Sequence, residues 1–134
     1  MTVSQALEKL SAYEKLMFTY NHASGLMYYD GATVAPRGSA DLRADTLGEL
    51  ARLSYALTTA PETVEMLRTL VEARDRLDPV TARKVSELWR DYEMTHRVPE
   101  EEFVAYQQLT SKADAVWREA KERSDFALFE PYLQ

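Results

Sequence analysis

Two histidines, His22 and His96, are the only imidazoles among 134 residues, and cysteine is absent. A catalytic zinc site takes three protein ligands, commonly two histidines one helical turn apart with a further His or Glu. The sequence contains no HExxH, and His22 and His96 fall on different predicted helices. Glu93-Met94-Thr95-His96 spells ExxH, which places both groups on one helix face and is half of a di-iron bundle motif. A second ExxH is missing, so these two residues read as a surface Glu and His at a helix end. Nucleophilic chemistry has no better footing, since no GxSxG surrounds a serine. Carboxylates alternate with arginines, as in Glu72, Arg74, Asp75 and Arg76, the pattern of a solvated face. Gly31 and Gly38 are single turn glycines and make no phosphate loop. The residues therefore assign no catalytic, cofactor-binding or metal-binding position. Tyr28 and Tyr29 could form part of a ligand-binding wall, but core packing at a helix end is the favoured reading. Trp89, Tyr92, Tyr106 and Trp117 fall on helical stripes and are expected in the core.

Composition narrows the classes further. Apolar residues make up 46% of the chain, enough for a core, and charged residues 28%. A length of 134 residues suits one helical domain over 1–134. No window approaches the roughly 18 uninterrupted apolar residues of a membrane span, so no membrane partner is expected. The start, MTVSQALEKL, lacks a basic stretch followed by an apolar one, so no secretory signal is visible and a cytoplasmic location is the default. A net charge of −6, with 16 basic residues scattered among 22 acids, weighs against nucleic acid.

Three prolines punctuate the chain at Pro61, Pro79 and Pro99. Proline suits a first helical turn, where its missing N–H has no partner to lose. Glu62 and Glu100, Glu101 and Glu102 follow two of them, at the positive end of the helix dipole. Between these breaks the apolar spacing is helical: Val64, Leu67, Leu70 and Val71; Val85, Leu88, Trp89 and Tyr92; Phe103, Tyr106, Ala113, Trp117 and Ala120. Leu42, Leu50, Leu53 and Leu57 line a helix entered from the Pro36–Ser39 loop, and Leu7, Leu10, Met17 and Tyr20 line the first. No stretch alternates with a period of two, so strands are not expected. The fold class is all-α, a bundle of about five helices joined by short turns, with helices near 4–24, 39–59, 61–76, 79–97 and 99–123. The first is expected to bend or stop near Gly25.

Two stretches resemble the carboxypeptidase Taq family of thermostable metallocarboxypeptidases. The first runs Gly25-Leu-Met-Tyr-Tyr-Asp30 through Val34-Ala-Pro36-Arg-Gly38, then Leu42-Arg43 and Leu47 to Leu57. The second runs Tyr92-Glu93, Arg97-Val-Pro99, Ala113-Asp-Ala-Val-Trp117-Arg-Glu-Ala120 and Asp125-Phe126-Ala-Leu-Phe129-Glu-Pro131-Tyr-Leu133. The chain departs from the family pattern at Tyr29, where Trp is usual, at Tyr55, where His is common, at Ala35 for Met, and at Lys121 for Arg. The resemblance implies that the metal, zinc or cobalt, is held by an HExxH helix and a downstream Glu outside this stretch. It also implies that the front helices line one wall of a groove that admits peptide C-termini. Asp41-Leu-Arg43-Ala-Asp-Thr46 fits a DxRxxT string that the family uses near its substrate. In the family that string follows an HPF motif, which is absent here, so the match reads as coincidence.

The expectation is then a non-catalytic N-terminal helical part of a metal-dependent carboxypeptidase, inactive by itself and without a cofactor of its own. A stand-alone helical interaction or oligomerisation module is the alternative. Its partner is expected to be either a second copy, forming a dimer, or the missing catalytic region.

Overall fold

The structure, a computed structural model, describes residues 1–133. Five α-helices follow one another: α1 (Val3–Thr33), α2 (Ala40–Thr59), α3 (Pro61–Glu72), α4 (Pro79–Thr95) and α5 (Glu100–Arg123). Short 3-10 turns lie at Arg37–Ser39, Arg74–Arg76, Phe126–Leu128 and Glu130–Leu133, and the described residues hold no strand. The all-α reading holds, and the boundaries agree closely except in α1.

Helix α1 does not stop at Gly25 but continues to Thr33, giving 31 residues and a length of about 46 Å. One internal glycine costs a helix only about 1 kcal/mol relative to alanine, too little to end it. The stop comes where Pro36 blocks continuation, with the Val34 and Ala35 amides both donating to the Asp30 carbonyl at 3.0 Å. Pro61 opens α3 and Pro79 opens α4. Asp78 caps α4, its carboxylate accepting from the Val80 and Thr81 amides at 3.1 Å each. Hydrogen bonding, from the Thr81 side chain first and its amide second, holds the Asp78 carboxyl below its ordinary pKa.

The chain forms two compact units. The first takes Met1–Tyr20 and Leu53–Pro99, and the second takes Asn21–Arg52 and the residues from Glu100 onward. No composition shift or flexible linker in the sequence marks the division.

The first unit has a large-residue core. Ala6, Leu10 and Tyr13 of α1 share one face at helical spacing, and meet Met66, Leu67 and Leu70 of α3 and Val85 of α4. Met66, Leu67, Leu70 and Val85 are essentially sealed from solvent. With 12 residues, α3 is too short to be helical alone, so its stability comes from this packing. Met17, Leu57, Leu77, Leu88, Trp89 and Tyr92 close around the cluster, as the stripes predicted. One polar contact lies inside: the Tyr13 hydroxyl is 3.4 Å from Thr58 Oγ1. Burial pushes the Tyr13 phenol above its ordinary 10.0, with Thr58 working against the shift. Ion pairs such as Lys84–Glu14 at 2.7 Å ring the surface and add little.

The second unit is packed differently. Its fully buried positions are small or medium: Ala44, Gly48, Val104 and Ala120. A Cβ on Gly48 would meet the Gln108 side chain at 2.7 Å, so α2 and α5 approach closely there. Such close approach leaves little room for large rings between the helices, and the expected stripes are corrected accordingly. Tyr106 is 62% and Trp117 44% exposed, and Leu42 reaches 72%. Arginines tie the unit together: Arg118 donates to the Gly31 carbonyl at 2.6 Å and to Asp114 at 2.5 Å, and Arg52 pairs with Glu100 at 2.6 Å.

Past α5 the chain turns at Ser124, whose φ of 53° is the only positive value on a non-glycine among the described residues. The Asp125 amide then reaches back to the Ala120 carbonyl at 2.9 Å, as in a helix ending that usually takes glycine. Ser124→Gly is therefore expected to raise stability by about 0.5–1 kcal/mol. Thermal unfolding checks this, and an unchanged or lower midpoint would show that the serine carries no strain.

Candidate functional site

The two histidines belong to different units. His96 sits at the C-terminal cap of α4, with Nδ1 2.9 Å from the Tyr92 carbonyl oxygen and its ring stacked on Tyr92 at 4.7 Å. Its ring is thus engaged with Tyr92 one turn back and not with Glu93, so the ExxH string forms no ligand pair. His22 lies on the exposed side of α1. Among the described residues, no three or more His, Asp or Glu side chains gather as a metal would require.

Tyr28 and Tyr29 stand on α1 at 62% and 68% exposure. The core position favoured for them is corrected: helix α1 continues past Gly25, and that extension carries both rings on its open side. The tail motif has a structural job. Trp117 meets Phe129 with ring centroids 5.1 Å apart, and Phe126 and Tyr132 each lie 6.4 Å from Phe129. The Asp125 carboxylate accepts from the Ala127 amide at 3.1 Å, starting the 3-10 turn that brings Phe129 back to α5.

A concave feature with mixed chemistry lies in the second unit, where α1 ends and α2 begins. It is a groove of about 400 Å³ walled by Leu26, Met27 and Leu42, with Asp30, Ser39 and Arg43 supplying polar groups. Arg43 lies against Gly31: a Cβ there would fall 2.6 Å from Nε and 2.8 Å from Cζ. Its Nη1 donates to Ser39 Oγ at 3.1 Å, and that hydroxyl donates to the Pro36 carbonyl at 2.7 Å. The DxRxxT string divides here. Arg43 and Thr46 border the groove, while Asp41 is 3.9 Å from Lys112 and takes no part. Sequence reasoning missed this groove because its residues come from two helices and match no spacing rule. The available signal was the Asp30-Gly31 pair, where a missing Cβ admits another side chain.

A family model described as carboxypeptidase Taq (M32) metallopeptidase matches residues 9–134. The chain belongs to that family. It is 35% identical over 133 residues to "Carboxypeptidase 1" of Bacillus subtilis (strain 168), covering 94% of this chain and 26% of that protein. It is 29% identical to "Thermostable carboxypeptidase 1" of Thermus thermophilus, covering 100% of this chain and 27% of the relative. A solved structure named "BsuCP Crystal Structure" superposes with a TM-score of 0.89 at 33% identity, over 97% of this chain and 26% of the other. This M32 chain thus spans about a quarter of the length of the curated relatives it matches.

Proposed function

We propose that this chain is the non-catalytic N-terminal helical part of a metal-dependent carboxypeptidase, the metal-binding residues lying in sequence beyond these 134. The observation that carries the reading is the family match over nearly the whole chain combined with a quarter of the relatives' length. The chain's own chemistry agrees, since two histidines in separate units and no cysteine fall short of a three-ligand zinc site. The second unit supports a covering partner: it buries only small or medium side chains while Tyr28, Tyr29, Tyr106 and Phe126 are all more than half exposed. Apolar surface left open in this way usually marks an interface. In the isolated chain that partner is a second copy, because a symmetric dimer lets one patch serve both molecules. The stand-alone module is the second reading, and the same exposed rings favour it.

The test combines three measurements on the isolated chain. Zinc and cobalt are quantified after dialysis, release of C-terminal residues from a peptide is assayed, and mass is followed by light scattering across a dilution series. No stoichiometric metal, no turnover and a concentration-dependent dimer are expected. Turnover surviving repurification would overturn the non-catalytic reading, and a strictly monomeric mass would overturn the dimer. An in-frame HExxH downstream of codon 134 would decide for the enzyme part over the module.

A further inference from the structure

We propose that the groove between the end of α1 and the start of α2 binds a free α-amino acid with a large apolar side chain, held as its zwitterion. The argument rests on the groove alone and does not require the carboxypeptidase reading, although a free amino acid is what C-terminal hydrolysis releases. Leu26, Met27 and Leu42 supply an apolar wall, and Leu26 and Leu42 are 57% and 72% exposed, so the wall is open to a ligand. Asp30 and Arg43 border the same space with opposite charges, yet they form no ion pair with each other or with any other described residue. Two opposite charges that share a groove without pairing present an acceptor and a donor to one ligand. A zwitterion answers both: its carboxylate meets the guanidinium and its ammonium meets the Asp30 carboxylate. Neither a lone anion nor a lone cation does.

Arg43 is also held in place beforehand. Gly31 leaves the space in which the guanidinium lies, and Ser39 fixes Nη1 through its bond to the Pro36 carbonyl. Its planar group keeps donors free beyond the one given to Ser39, since arginine carries five. A groove of about 400 Å³ is within the size range of small-molecule sites.

The experiment is an NMR titration of the 134-residue chain with L-leucine, N-acetyl-L-leucine and L-leucinamide, read at the methyl groups of Leu26, Met27 and Leu42. Leucine is expected to bind saturably and more tightly than either derivative. The acetylated form has lost the ammonium and the amide has lost the carboxylate. Arg43→Met is expected to weaken leucine about tenfold, the size of one charge-assisted hydrogen bond, and to remove its advantage over leucinamide. Asp30→Asn is expected to remove the advantage over N-acetyl-leucine. Asp30 is exposed, so that variant keeps the fold and decides the matter even if Arg43→Met does not. The proposal is overturned by equal binding of all three compounds, by preferences that survive both substitutions, or by no saturable shift up to the solubility limit of leucine.

Discussion

Leu67→Ala lowers the stability of the first unit by about 3 kcal/mol, the loss expected when a sealed leucine leaves a cavity. Leu67 has no exposed surface and lies in the cluster with Leu10, Leu70 and Val85. Three of the four largest sealed side chains come from α3, a helix of 12 residues that has no independent stability. Loss of its central anchor therefore loosens α3 as a whole, and the effect falls within the usual range of about 2–5 kcal/mol for a buried leucine. The readout is urea unfolding followed by tryptophan fluorescence. The chain has two tryptophans, Trp89 in the first unit and Trp117 in the second, so a Trp117→Phe background isolates the first. With a slope of about 1.5 kcal/mol per molar urea, the midpoint falls by about 2 M. A fall corresponding to less than about 1 kcal/mol would mean that the neighbours collapse into the space.

Ala44→Leu is the matching experiment in the second unit, and the effect comes from the opposite cause. Ala44 is completely enclosed, and the unit's other fully buried positions, Gly48, Val104 and Ala120, are also small or medium. Three added carbons have nowhere to go without shifting backbone, which costs about 1–3 kcal/mol. Trp117 in a Trp89→Phe background reports the change. An unchanged midpoint would show that the second unit has slack around α2, contrary to the close approach at Gly48 and Gln108. Taken together, the pair asks whether one unit is limited by lost volume and the other by excess volume.

The contrast between the units also explains what the sequence could reveal. Helix starts were legible because proline and aspartate act locally: Pro61, Pro79 and Asp78 specify their positions through backbone geometry and first-turn amides. The stripe through Val85, Leu88, Trp89 and Tyr92 was legible because large side chains pack on one face of the first unit. Similar spacing over Tyr106 and Trp117 misled, because period alone does not say how far apart the facing helices stand. Where Ala44 and Gly48 bring them close, the buried face is carried by small residues, and large ones are displaced to its edge. Gly25 misled for a related reason: a lone glycine resembles a stop, but the stop that acts is Pro36 eleven positions on. The groove was illegible because it depends on Arg43 meeting Gly31 across two helices.

The chain order of the two units has a consequence for synthesis. The first unit is made from residues 1–20 and 53–99, so all its parts exist once Pro99 has been added. Residues 21–52 by then form a long excursion between two segments that can already pair, and their own partner, from Glu100 onward, has yet to be made. A nascent chain thus completes its large-residue core first and carries Gly31 and Gly48 without their partners Arg118 and Gln108 until α5 emerges.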